Sequence, residues 1–286
     1  MRRSWIEHCL NSMRASTVPI TAIVIDNGST DGTREYVPQH YPDAVWLPQD
    51  RNLGFGQANN IGFRYALEHN ADYVLLLNQD ATIGKDAIEM MLNCSDGNSI
   101  LSPLHLNGDG SRLDGQFRIC VSRSEDALLD DLLVSKALRN TYFGPDRESG
   151  CVIPAACWFI PISIIKKIGG FNPLFFHYGE DGNYALRLFY HHIDFKICPA
   201  VTMRHDRGEH GNMQIFNKGF MRRQMLTVAT DINLSFFSRL PIYLRTLKMN
   251  NFHVLDWLSA ILWILAHYHQ VTTSRRKEKA LGATWL

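Results

Sequence analysis

A chain of 286 residues with 45% hydrophobic content is long enough for one large α/β domain, or for one with an appendage, and its composition excludes disorder. The formal net charge of +1 excludes a nucleic-acid binder that works by phosphate neutralisation, which needs a marked basic excess or stripe. The 6 cysteines show no C-x-x-C spacing, and with no signal peptide they predict a reduced, cytoplasmic chain with free, mostly buried thiols.

In chain order, Trp5, Ile6, Cys9, Leu10 and Met13 recur at helical spacing and predict an amphipathic helix near the start. A buried strand over 20–26 follows, carried by Ala22, Ile23, Val24 and Ile25, and runs into a polar loop from Asp26 to Gly32. Asn27-Gly28 gives that loop a turn, and its Ser, Thr and Asp residues can cap a helix toward Tyr36. After a further short strand over 44–47, Arg51 to Asn60 leads into a helix bearing Ala58, Ile61, Tyr65 and Glu68. Glycines such as Gly54 and Gly56 ahead of a helix let backbone N–H groups approach an anion, and they serve turn geometry equally well.

Tyr73 to Leu77 is a short apolar run, read as a strand buried on both faces of a mainly parallel sheet. The chain leaves it through Asn78 and reaches Asp80, a carboxylate at the strand's carboxyl end on the same sheet edge as Asp26. Ligands of open α/β sheets bind at that edge, so Asp80 is either a metal-holding acid or a solvated turn acid. A helix through Ile88, Met91 and Leu92 and a strand over 100–103 come next. Asn107 to Ser111 reads as a hairpin turn with Gln116 to Val121 as the returning strand. The charged stretch 122–148 is either a loop that closes over an acceptor or an ordinary surface excursion.

Regular structure returns with a strand over 151–160 and a helix through Ile162, Ile165 and Ile168, stopped by Gly169-Gly170. Aromatic residues from Phe171 to Tyr178 then crowd Glu180 and Asp181, which open a helix burying Tyr184, Ala185 and Leu188. Acids in a first turn are favoured by the helix dipole whatever their function, and adjacent helical residues do not share a face. One of the two at most therefore points squarely into a site. Strands over 195–198 and 201–205 bring His205 to another edge.

Four landmarks now stand in order: Val24 to Thr33, Asn52 to Gly62, Leu77-Asn78-Gln79-Asp80, and Gly170-Phe171-Asn172 through Tyr178-Gly179-Glu180-Asp181. Together they resemble the inverting family-two glycosyltransferases, in particular the rhamnosyltransferase-like branch, over residues 5 to about 210. The resemblance implies a GT-A fold, Rossmann-like, with a mainly parallel sheet flanked by helices. It implies a nucleotide-diphosphate sugar donor contacted by Asp26 and Asn27, with Asn52, Gly54, Gly56, Asn59 and Asn78 lining its pocket. It implies Mg2+ or Mn2+ at Asp80 with His205 as a second metal or diphosphate contact, Asp181 as the base beside Glu180, and a glycan or lipid-linked acceptor. Two departures stand out. The first acid of the family's Asp-x-Asp is Asn78 here, and the family's opening buried strand, with its Thr-Tyr-Asn-like loop, has no counterpart ahead of Trp5. Either the sequence begins late or this copy is degenerate, and a chain without that strand is expected to be poorly stable or inactive unless upstream residues restore it.

The expected organisation is a transferase domain over 1–232 and a helical C-terminal appendage over 233–286. Within the appendage, Val254 to Ala266 is apolar and is followed by Arg275, Arg276, Lys277 and Lys279. The run is shorter than the roughly 20 residues that span a bilayer. It is read either as a helix at the inner face of the cell membrane or as one packed on the domain or a dimer partner. A nucleotidyltransferase is the enzymatic alternative, but its Gly-rich basic loop is missing. An inactive, membrane-associated partner in glycan assembly is the non-enzymatic one.

Overall fold

The computed structural model describes residues 3–122, 152–207, 219–246 and 254–286, so the excursion at 123–148 lies outside the described residues. Helix α1 (Arg3–Arg14) is followed by β1 (Ile23–Asp26), α2 (Thr33–His40), β2 (Val45–Pro48), α3 (Phe55–Glu68), β3 (Tyr73–Leu77), β4 (Ala81–Ile83) and α4 (Ala87–Cys94). Then come β5 (Ile100–Asn107), α5 (Gly115–Ser122), β6 (Cys157–Pro161), α6 (Ile162–Ile168), α7 (Glu180–Tyr190) and β7 (Phe195–His205). Helices α8 (Phe220–Thr230), α9 (Phe236–Thr246), α10 (Val254–Ala266) and α11 (Tyr268–Lys279) complete the order.

The α/β reading holds, and the pairing is more mixed than the mainly parallel sheet expected. One sheet is the parallel pair β1-β2; the other has 5 strands in the order β3-β6-β5-β7-β4. In the larger sheet β5 and β7 are parallel, while β3–β6, β5–β6 and β4–β7 are antiparallel. Asp26 and Asp80 therefore follow strands of two sheets, not one.

Strand alternation builds the core, because successive side chains of a strand face opposite layers. From β6, Trp158 and Ile160 point into a cluster with Phe63 of α3, Ile165 of α6 and Tyr184 and Leu188 of α7. Their neighbours Cys157 and Phe159 point the other way, against Ile88 and Met91 of α4. Helix α1 buries Ile6 and Leu10 with Val24 of β1 and Val37 of α2, as its periodicity predicts.

Strand β3 is less enclosed than expected, with only Leu76 of its five residues fully buried. Among the described residues, β1 pairs with β2 alone and β3 with β6 alone. Their remaining edges face an apolar slot of about 1060 Å³, roofed and floored by α1 and α3.

Three further expectations are corrected. Residues 116–121 are helical: Asp114 Oδ1 accepts the N–H groups of Gln116 and Phe117 at 3.1 and 3.0 Å, and this cap starts α5 where a returning strand was expected. The stretches 195–198 and 201–205 form one strand, with a register shift opposite Pro103 and Leu104. Cys9, Cys94, Cys157 and Cys198 are free thiols, whereas Cys120 is disulfide-bonded.

The C-terminal helices pack on the rest of the fold. Buried Glu278 of α11 accepts hydrogen bonds from Asn172 Nδ2 at 2.7 Å and Asn183 Nδ2 at 3.4 Å, and Ser274 Oγ accepts another from Asn172 at 2.6 Å. Gly170 N donates to Thr284 O at 2.9 Å, and Leu286 packs against the main core. The expected boundary at 232/233 thus lies ahead of helices that are fastened to the sheet domain.

Candidate functional site

The register of β4 with β7 sets Ala81 opposite His205, and so brings Asp80 beside that histidine. Asp80 Oδ1 lies 3.3 Å from His205 Nε2, and the backbone is locked by Asp206 N donating to Asp80 O at 2.8 Å. Both Asp80 Oδ1 and His205 Nδ1 are buried without a hydrogen-bond partner. Buried polar atoms are normally paired, so an orphaned carboxylate oxygen beside an imidazole marks a place prepared for something else. The donor set is one carboxylate and one imidazole. Among the described residues no group of three or more His, Cys, Asp and Glu converges. The pair therefore fits a divalent ion that takes its other ligands from phosphate and water, as Mg2+ and Mn2+ do. A cavity of about 360 Å³ opens next to Asp80, lined also by Trp5, His8, Arg204 and Asp206.

Three residues near this pair, His105, Asp114 and Arg207, were not legible as site residues. Arg207 forks onto Asp114, Nε to Oδ2 at 2.7 Å and Nη2 to Oδ1 at 3.3 Å. Burial works to raise the Asp114 carboxyl, but the Arg207 hydrogen bond and charge prevail and hold it below the usual range. His105, wholly buried, is pushed down to about 3 by burial first and by the charge of His205 second, and so stays neutral. The spacing of Asp114 ahead of Gln116 and Phe117 was the available signal, since it is that of a helix cap.

The residues assigned to the donor form a cross-link between two loops. Asn27 Oδ1 accepts Leu53 N at 2.7 Å, while Asn27 Nδ2 donates to Asn52 Oδ1 at 3.0 Å and Gly54 O at 3.2 Å. Asn52 Oδ1 accepts Gly54 N in turn at 2.8 Å. Asp26 is fully buried, and its two oxygens accept Ser29 N at 3.0 Å and Arg34 Nε at 3.2 Å. These two bonds shape the loop that follows β1. The glycines are explained by packing: a Cβ on Gly54, whose φ is +84°, would sit 1.9 Å from Phe176 O, and one on Gly56 would sit 2.8 Å from Phe171 Cβ. Asn59 Nδ2 bonds within its own helix, to Phe55 O at 3.0 Å, and Asn78 lies at the carboxyl end of the slot.

The acid pair divides as adjacent helical residues must. Glu180, only 4% exposed, turns toward α3, where a Cβ on Gly56 would lie 3.6 Å from its own Cβ, and its Oε2 has no hydrogen bond. Burial, with the charge of Asp181 second, pushes Glu180 up to about 7. Asp181 is half-buried and its Oδ1 accepts Gly182 N at 2.9 Å. Burial raises it as well, against the backbone N–H groups of Gly182 and Ala155 and the charge of Arg207. Asp181 thus feels the charge of Arg207, the guanidinium that is hydrogen-bonded to Asp114. Of the aromatic residues before the pair, Phe175 is buried, while Phe176 and Tyr178 are exposed; Tyr178 holds a φ of +67° with the Arg223 guanidinium 5.3 Å from its ring.

Residues 1–99 match the model of glycosyl transferase family 2. The chain is 27% identical over 201 residues to the N-acetylglucosaminyl-diphospho-decaprenol L-rhamnosyltransferase of Mycobacterium tuberculosis, covering 64% of this chain and 66% of that one. It is 28% identical over 195 residues to the low-salt glycan biosynthesis hexosyltransferase Agl10 of Haloferax volcanii, covering 65% and 58%. The chain thus spans about two thirds or less of the length of these curated relatives. Among solved structures, S. aureus TarS superposes with a TM-score of 0.57 at 15% identity, over 95% of this chain and 48% of that one. GalNAc-T7 with UDP, GalNAc and Mn2+ superposes with a TM-score of 0.61 at 12% identity, over 99% and 54%. At these identities the superpositions establish the fold alone, and it is the GT-A fold.

Proposed function

We propose that the chain is a family-two, rhamnosyltransferase-like protein that moves a sugar from a nucleoside-diphosphate donor to a glycan or lipid-linked acceptor, with inversion at the anomeric carbon. The observation that carries this reading is the Asp80–His205 pair, with its orphaned carboxylate oxygen 3.3 Å from an imidazole nitrogen at one end of the sheet. The names of two similar proteins support the substrate classes: one acts on a diphospho-decaprenol-linked sugar, and TarS is held with UDP-GlcNAc.

In this reading Asn27, Asn52, Gly54, Gly56, Asn59 and Asn78 give the donor pocket its shape, and Asp26 fixes the first loop through Ser29 and Arg34. Mg2+ or Mn2+ held by Asp80 and His205 would supply charge neutralisation for the departing diphosphate. Inversion is a single displacement, so the acceptor hydroxyl loses its proton as it attacks, and Asp181 takes it. Burial of Asp181 raises its proton affinity, which favours that step. Glu180 orients the first turn of α7 from its buried position. Helix α10 leaves Leu255, Leu258, Leu262 and Leu265 exposed, which supports a peripheral contact with a membrane carrying the acceptor, on its cytoplasmic side. No helix among the described residues is long and apolar enough to cross a membrane.

A second reading, an inactive partner in glycan assembly, is favoured by the open slot between β1 and β3. Release of nucleoside diphosphate from a panel of UDP- and dTDP-sugars, measured with Mn2+ and with EDTA, separates the two. Metal-dependent release supports the transferase; binding of no nucleotide and release from no donor would leave the inactive partner.

A further inference from the structure

Arg222 and Arg223, in the first turn of α8, stand between the acid pair and the exposed stripe of α10. The Arg222 guanidinium lies 5.5 Å from the Trp263 ring of α10, and that of Arg223 lies 5.3 Å from the Tyr178 ring. The Tyr178 ring is in turn 4.0 Å from that of His177, which lines the slot with Asn78 and Asp80. Phe175 is buried in one cluster with Met221 and Met225 of α8 and Ala260 and Ile264 of α10, so the aromatic segment and the two helices are packed as a unit. The close approach of Gly54 to Phe176 O ties the same segment to the Asn27–Asn52 cross-link.

Each part of this surface has a chemistry that points to a ligand. Burial lowers the pKa of Arg223, so its charge is held in a place that disfavours it and an anion docked there would stabilise it. Glu180 is an acid whose charge reaches Arg223, yet burial pushes Glu180 up to about 7, which makes it a weak counter-charge near neutrality. Tyr178 keeps a φ of +67° although its side chain is 47% exposed. A strained backbone that presents a ring to solvent gains little from burial, and such strain clusters at ligand sites. The exposed face of that ring is a surface on which a sugar can pack.

We propose that α8 supplies a phosphate subsite for the acceptor: Arg222 and Arg223 bind the phosphate or diphosphate that joins a sugar to a lipid, with the lipid along the leucine stripe of α10 and the sugar on Tyr178 before Asp181. The surfaces follow one another as apolar, cationic, aromatic and acidic, which is the order of a lipid chain, its phosphate linkage, a sugar and the hydroxyl that loses its proton. A free glycan would leave the first two unused. The role of Asp181 rests on the transferase reading, whereas the anion and lipid contacts rest on α8 and α10 alone.

Isothermal titration of the whole chain, in EDTA and without donor, with farnesyl diphosphate, farnesol and inorganic pyrophosphate tests the subsite. Farnesyl diphosphate should bind on the order of tenfold more tightly than either of the others, because it alone meets both the cationic and the apolar surface. Arg222→Gln with Arg223→Gln should weaken it on the order of tenfold, while Arg222→Lys with Arg223→Lys should keep most of the affinity, since phosphate accepts a point charge. Arg222 is exposed, so Arg222→Gln alone leaves the fold intact and should lose part of the affinity by itself. Asp80→Asn should bind as the native chain does. Farnesol or pyrophosphate binding as tightly as farnesyl diphosphate, undiminished binding by the Gln variants, or loss of binding in Asp80→Asn, which would put the diphosphate in the donor pocket, would each overturn the proposal. With donor and metal both absent, a chain that binds farnesyl diphosphate through Arg222 and Arg223 but releases no nucleoside diphosphate from any donor would sink the transferase reading and leave the subsite standing.

Discussion

Asp181 and Glu180 are neighbours with opposite surroundings, and the chemistry should follow the surroundings. Asp181 is half-buried and feels the charge of Arg207, whereas Glu180 is buried against α3. Asp181→Asn should lower turnover on the order of 100-fold with donor affinity nearly intact, because a base acts in the transition state. Glu180→Gln should lower it far less; single-turnover transfer by both variants decides, and a near-normal Asp181→Asn beside a dead Glu180→Gln reverses the roles. The pair was legible in the sequence because acids opening a helix after an aromatic run stand out. Asp114 and Arg207 were not, since a fork between residues 114 and 207 depends on β5 and β7 being neighbours. Gly54 and Gly56 were visible but their partners were not: sequence cannot distinguish a glycine that admits a ligand from one that admits Phe176 or Phe171.

Helix α11 shows what element-scale periodicity leaves out. Its basic residues read as a membrane-facing sequel to α10, yet the Arg275 guanidinium donates to the carbonyls of Ala229, Asp231 and Leu234, and Lys277 lies over Trp285. Arg275→Ala should therefore cost stability on the order of 2 kcal/mol, read by chemical unfolding, with little effect on vesicle binding. Under the proposed function, membrane contact would fall to the exposed stripe of α10. Leu258→Ser with Leu262→Ser should reduce co-sedimentation with anionic vesicles severalfold and leave the thermal midpoint within about 2 °C; unchanged sedimentation would return α10 to a protein partner. Glu278 adds a pH dependence. Burial raises its pKa to about 7 from an ordinary 4.5, so the folded state holds a proton that the unfolded state has released. Its contribution is fully present below pH 4.5 and is lost as pH rises through about 7. The thermal midpoint should consequently fall between pH 5 and 8 in the native protein, and Glu278→Gln should flatten that slope; equal slopes would remove Glu278 as its source.

At the scale of the molecule, two sheets share one helical layer, and the candidate site spans the gap between them. The order of helices and strands from α1 through β3, the apolar face of α1 and the position of Asp80 after β3 could be read from residue patterns, because local periodicity encodes them. The split of the sheet could not, since β3 reads as fully enclosed by composition while its free edge depends on what lies beside it. The strand-to-helix change at α5 was hidden for the opposite reason, a local Asp114 cap overriding an alternation that looked like a strand. The account as a whole rests on Asp80 and His205 serving a nucleotide diphosphate. The most direct test is the thermal midpoint of the native chain and of Asp80→Asn with UDP and dTDP, each with and without Mn2+. A ligand that binds the fold at 100 times its dissociation constant adds about 2.7 kcal/mol. The account predicts a rise with nucleotide and Mn2+ together that Asp80→Asn loses; no rise with either nucleotide, or an equal Mn2+-dependent rise in Asp80→Asn, would contradict it.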